Sequence, residues 1–161
     1  MNVKALLKSL CISAVIFNTL SCKEEKATVG HIAPELAAYD LQGNPVSLKD
    51  WQGTRLLTFW SETCGHCMAE LKAFEQLNAA YPNQVQLIAI NVDGEKRDTN
   101  AVVAKHQLTQ SVIKDQMNIT AERYQLIGTP TSFIIDGKGY IQAKFEGKIG
   151  QETLDKLFKP H

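Results

Sequence analysis

Two cysteines separated by two residues, Cys64-Gly65-His66-Cys67, have the type and spacing for redox chemistry. Such a pair can close a disulfide and reopen it, and the thiolate is the species that attacks another disulfide. The motif follows an apolar run, Leu56-Leu57-Thr58-Phe59-Trp60, and precedes Met68, Leu71, Phe74, Leu77 and Ala80, which recur at steps of three. The spacing therefore predicts a buried strand, then the pair, then a helix. A helix N-terminus carries partial positive charge and free backbone N–H groups, and both favour a thiolate. The first cysteine then faces outward as the nucleophile, and the second begins the packed face with Met68 and Leu71.

Other uses of a Cys-x-x-Cys spacing fit poorly. Structural zinc needs two further ligands, but the remaining cysteines, Cys11 and Cys22, lie in the N-terminal segment and the histidines are scattered. Covalent haem attachment needs His directly after the second Cys, and position 68 is Met. A purely structural disulfide closing so small a loop stabilises little. A copper chaperone using Cys64, Cys67 and one His as soft ligands is an alternative from another class. His31, His106 and His161 read as ordinary surface groups.

The elements that must position the pair follow from the pattern. Val46–Leu48 reads as a short strand after the Gly43-Asn44-Pro45 turn. The helix begun at the motif stops before Pro82. Val85–Val92 is a second buried strand, and Asn100–His106 is helical. Ser132–Ile135 and Tyr140–Phe145 flank Asp136-Gly137-Lys138-Gly139 as a hairpin. Thr153–Phe158 closes the chain as a helix. A βαβ first half implies parallel pairing and the hairpin antiparallel pairing, so the expected fold is α/β, a mixed central sheet with helices on both faces.

The chain has 161 residues with 44% hydrophobic and 21% charged, enough for one domain with a sizeable core. A formal net charge of +0 sets up no field for nucleic acid. Lys4 and Lys8 precede an apolar stretch, Leu10–Phe17, too short to span a bilayer, which needs about 20 residues. That pattern reads as a secretory signal over residues 1–21, a linker over 22–30 and a folded domain over 31–161. Thr19-Leu20-Ser21-Cys22 resembles the lipobox of bacterial lipoproteins, with Thr19 and Leu20 departing from its preferred residues. The resemblance implies lipid attachment at Cys22, which would also remove an odd free thiol from an oxidising compartment.

Phe59-Trp60-Ser61-Glu62-Thr63-Cys64-Gly65-His66-Cys67 resembles the active-site segment of thioredoxin-like proteins, and Ile127-Gly128-Thr129-Pro130-Thr131 resembles their cis-proline loop. Within that superfamily the chain is most similar to the membrane-anchored TlpA/ResA branch, over roughly residues 31–158. The resemblance implies a thioredoxin-like fold with an added N-terminal β-hairpin, over 31–50, and a central insert, over about 95–115, ended by the strand Ser111–Asp115. It implies catalytic Cys64 and Cys67, a cis Pro130 beside the disulfide, and a substrate groove of Trp60, Thr129 and Pro130. It implies no cofactor or metal beyond the redox pair. Its partners would be substrate proteins with thiols or disulfides and a membrane electron donor. Its place would be the periplasmic side of a bacterial membrane, held by lipid, or else free in the periplasm.

Three departures bear on mechanism. His66 stands where the branch usually has Pro, Thr63 where many members have Trp, and Thr58 where thioredoxin has a buried Asp. In place of that Asp, the branch implies a Glu just after the second core strand, and Glu95 is the best match. Gly65 and His66 together match the dipeptide of protein disulfide isomerases. A histidine beside the pair stabilises the thiolate and makes the couple more oxidising. The branch thus implies a reductase, with cytochrome c maturation as a role, while the dipeptide leaves a disulfide isomerase or oxidase open.

Overall fold

A computed structural model describes residues 25–94 and 97–159. The apolar runs form the middle of a seven-stranded mixed sheet. In chain order the elements are β1 (Ala38–Asp40), β2 (Pro45–Val46), a 3-10 turn (Leu48–Asp50), β3 (Arg55–Trp60), α1 (Gly65–Ala80), β4 (Gln86–Asn91), α2 (Thr99–His106), β5 (Ser111–Lys114), α3 (Ile119–Arg123), β6 (Thr131–Ile135), β7 (Ile141–Glu146) and α4 (Gln151–Phe158). The sheet order is β2-β1-β5-β4-β3-β6-β7. Strands β3, β4 and β5 run parallel, and β6, β7, β1 and β2 join antiparallel.

Every residue of β3 is buried, as its largely apolar run requires of a strand covered on both faces. Alternate side chains divide between the faces. Leu57 and Phe59 pack with Ile88, Ile90, Tyr124 and Phe133 on one side. Leu56 packs with Phe74, Leu154 and Phe158, and Trp60 with Cys67 and Leu71, on the other. Thus α1 and α4 cover one face, and the N-terminal segment with the turn after α3 covers its opposite. Phe59, Tyr124 and Phe133 form an aromatic trio with centroids 5.0–6.0 Å apart. The Tyr124 hydroxyl donates to the Pro34 carbonyl at 2.8 Å, so the one polar atom of the trio is satisfied.

The structure adjusts the sequence reading in three places. The strand expected over Val46–Leu48 is Pro45–Val46, because Ser47 and Asp50 form a capping box that turns Leu48 into a 3-10 turn. Its partner β1 completes the expected N-terminal hairpin, while the five-residue α3 carried too little periodicity to predict. Asp115 anchors α3 by accepting from the Ala121 N–H at 2.7 Å. The packed body also begins before residue 31. Ala27 is buried, its N–H donates to the Arg123 carbonyl, and the Gly30 N–H donates to Ile141. The expected signal segment, residues 1–21, and Cys22 lie outside the described residues. No helix among the described residues is long and apolar enough to cross a membrane.

Candidate active site

Strand β3 ends at Trp60, and four residues later Cys64 caps α1. Its sulfur accepts the Cys67 N–H at 3.2 Å. A sulfur in the N-cap position, facing free N–H groups and the positive end of a 16-residue helix, is favoured as a thiolate. Cys64 and Cys67 are joined in a disulfide. Cys64 is partly exposed and Cys67 is fully buried against Trp60 and Leu71. Only the first sulfur is open to an incoming disulfide.

The loop carrying Cys64 is held by Asp93, just past β4. Its carboxylate accepts from the Ser61 hydroxyl at 2.6 Å, the Glu62 N–H at 2.7 Å and the Asn91 amide at 2.9 Å. Burial raises its pKa, but these bonds outweigh burial and hold it below the usual carboxylate range. Gly94 follows with φ +67, and a Cβ there would meet the Gln116 carbonyl at 3.3 Å, so only glycine fits this turn without strain.

The second signature arrives from the other direction. The Thr129-Pro130 bond is cis, as the resemblance implies, and the Thr129 carbonyl oxygen lies 3.6 Å from the Cys64 sulfur. The Thr131 hydroxyl donates to the Gly128 carbonyl at 2.7 Å. Beside this loop opens a cavity of about 570 Å³ whose lining includes His66, Ala69, Glu70, Thr129, Pro130 and Lys148. A smaller one, about 210 Å³, lies on the Ile127 and Glu146 side of Pro130.

The expected site residues distribute as follows. Cys64, His66, Thr129 and Pro130 come together around the groove. His66 is exposed and makes no hydrogen bond to either sulfur. Gly65 occupies the first helical position, where a Cβ would meet nothing within 4 Å. Trp60 corrects an expectation: it is fully buried and packs under the pair with Cys67, Leu71 and Ala89. It supports the groove from below and cannot touch a substrate, because the end of a central strand points its side chain into the core. Glu95 lies outside the described residues. At Thr58, where thioredoxin has Asp, the hydroxyl shares a 3.0 Å hydrogen bond with Ser132.

Sequence reasoning missed Glu70. This carboxyl is buried in α1, one turn past Cys67, and lines the groove. One oxygen accepts the Ile149 N–H at 2.8 Å and the other has no partner. Burial pushes its pKa up, and neither the Ile149 bond nor the charge of Lys148 brings it back. The signal was present in the helical period. Cys67, Leu71 and Phe74 face inward, and position 70 falls on the same face. Among the described residues no three His, Cys, Asp or Glu side chains gather as a metal-binding group.

Comparison with known proteins agrees with this geometry. The AhpC/TSA family model matches residues 29–144. The thiol-disulfide oxidoreductase ResA of Bacillus cereus is 29% identical over 156 residues, which cover 96% of this chain and 90% of that protein. The thioredoxin-like protein YneN of Bacillus subtilis is 29% identical, covering 88% and 85%. The fold matches the thioredoxin domain of a thiol-disulfide oxidoreductase from Bacteroides vulgatus at a TM-score of 0.70, with 24% identity and coverage of 83% of this chain and 100% of that one. It matches StoA from Bacillus subtilis at 0.64, with 24% identity and coverage of 78% and 97%. With its thioredoxin-like fold and its Cys64–Cys67 pair at the head of α1, this chain belongs to the AhpC/TSA family and is a thiol–disulfide oxidoreductase.

Proposed function

We propose that this chain is exported, anchored by lipid at Cys22, and works on the outer side of a bacterial membrane as a reductase of disulfides in substrate proteins, apocytochrome c among them. The observation that supports the redox role best is the Cys64 sulfur, which caps α1, is partly exposed and lies against the Thr129-Pro130 loop while Cys67 is sealed beneath.

In the reduced protein the Cys64 thiolate attacks one sulfur of a substrate disulfide. That bond breaks, the departing sulfur takes a proton, and a mixed disulfide forms. Cys67 then gives its proton to the Glu70 carboxylate and attacks the Cys64 sulfur. The mixed disulfide breaks, the second substrate thiol leaves, and the Cys64–Cys67 disulfide remains. Two electrons have passed to the substrate, and a membrane dithiol donor returns them. Glu70 fits the proton step because it stands one turn from Cys67 with one oxygen unpartnered.

Equilibration with glutathione tests the direction. A potential nearer thioredoxin, at about −270 mV, than the isomerase, at about −180 mV, supports a reductase. A value at the isomerase end assigns the protein to the second reading, a disulfide isomerase or oxidase, which His66 beside the pair favours. Labelled palmitate tests the anchor: wild type is expected to be tagged and Cys22→Ser to remain untagged.

A further inference from the structure

Ile127 is 85% exposed, more than any other large apolar side chain among the described residues. A single exposed isoleucine is ordinary on a protein surface. This one stands two residues before Thr129, whose carbonyl lies 3.6 Å from the Cys64 sulfur. It is also held in place. Leu126, its neighbour on one side, donates its N–H to the Ala121 carbonyl at 2.9 Å and packs against the core. Gly128, its neighbour on the other, is tied to Thr131 at 2.7 Å. The cavity beside Ile127 shares Thr129, Pro130 and Gly147 with the larger cavity on the His66 side. One continuous surface therefore runs from the α1 side, across Thr129 and Pro130, to Ile127.

We infer that Ile127 is a specificity-determining residue, which receives a large apolar side chain of the substrate from the segment that carries the target cysteine. The inference rests on the redox reading above and adds a substrate class to it. Two residues of chain span at most about 7 Å. In an extended segment the next side chain on the same face as a cysteine is two residues away, at nearly that distance. A substrate cysteine on Cys64 thus brings a side chain two positions along its own chain toward Ile127. Leu, Ile, Val or Phe there would bury its surface and that of Ile127 together, whereas a small polar residue would leave the isoleucine wet.

The test uses short peptides, each with one cysteine carrying a nitrothiobenzoate group by a disulfide, and with Leu or Ser two positions before or after that cysteine. Release of the coloured thiol by reduced protein reports attack by Cys64, whichever way electrons flow in the cell. Wild type is expected to prefer Leu over Ser about tenfold on one side of the cysteine, equal to about 1.4 kcal/mol. Ile127→Ser is expected to erase the preference and Ile127→Leu to keep it. Far-UV circular dichroism like that of wild type shows that both variants are folded, and release of the coloured thiol from free dithiobis(nitrobenzoate) shows that Cys64 is intact. Equal rates for all peptides with wild type, or a preference that survives Ile127→Ser, would overturn the inference while leaving the redox reading standing. Failure of wild type to react with any disulfide would instead remove the redox reading, and this inference with it.

Discussion

Two carboxyl groups, one holding the loop before Cys64 and one in α1 a turn past Cys67, are set by the structure in opposite directions. Asp93 collects three hydrogen bonds, from Ser61, Glu62 and Asn91, and its pKa falls. Glu70 keeps one, from Ile149, leaves an oxygen unpartnered in the groove, and its pKa rises. Burial pushes both up, more strongly for the fully buried Glu70, and only at the half-buried Asp93 do the donors outweigh it. Asp93 is a charged clamp whose proton affinity is too low for transfer near neutral pH. Glu70, with its raised pKa, is the group to which the proposed mechanism gives the proton of the buried thiol one turn away.

The largest effect expected from this contrast is kinetic. Glu70→Gln keeps an oxygen for Ile149 but removes the proton acceptor, so resolution of the mixed disulfide by Cys67 should slow by about 100-fold, the lower range for general acid–base catalysis. Stopped-flow release of the second substrate thiol measures it. Attack by Cys64 on a small disulfide should change little. If both steps slow together, Glu70 shapes the groove and moves no proton.

Asp93→Ala should act on stability. Losing a carboxylate that accepts charge-assisted bonds in a partly buried site costs about 2 kcal/mol. Urea unfolding should show that loss, with exchange rates within a few-fold of wild type once folded. An unchanged midpoint would mean the loop before Cys64 holds itself.

The pH dependences should have opposite signs. Asp93 has a depressed pKa, so its stabilisation is present above the ordinary Asp value of about 3.9 and is lost as pH falls through its lower folded value. The gap between wild type and Asp93→Asn should close in acid. Glu70 has a raised pKa, so its ionisation penalty is absent below the ordinary Glu value of about 4.3 and grows as pH rises through its folded value. Glu70→Gln should flatten that decline. Melting temperatures of the three proteins from acid to neutral pH decide the matter, and parallel curves would erase the distinction.

The smallest effect concerns His66, on the groove beside Glu70. An imidazole N–H can donate to the Cys64 thiolate, which exists only in the reduced state. His66→Ala should therefore lower the potential by about 30 mV, equivalent to about 1.4 kcal/mol for two electrons. His66→Pro should lower it at least as far and raise the Cys64 pKa. If both variants match wild type, His66 is a spacer.

The sequence by itself determined the central strands, because the apolar runs Leu56–Trp60 and Val85–Val92 suit strands covered on both faces. It determined the first helix, its stop before Pro82, and the terminal hairpin around Asp136–Gly139, because periodicity and turn chemistry are local. The redox pair was legible for the same reason: two thiols and a helix start sit within four residues. The cis-proline loop was legible only through resemblance, since a Thr-Pro step alone reads as an ordinary turn. Tertiary structure decided the rest. Trp60 looked like a groove residue from its place near Cys64, but the last position of β3 faces the core. Glu70 lies on the inward face of α1, but the Ile149 N–H that pairs its carboxyl comes from 79 residues along the chain. Asp93 and Ser61 are 32 residues apart, and no local rule says that their loops meet. Burial and hydrogen-bond partners come from contacts far apart in the chain. The pair's position could therefore be read from its neighbours in sequence, while the partners that set the two carboxyl groups in opposite directions came only from the fold.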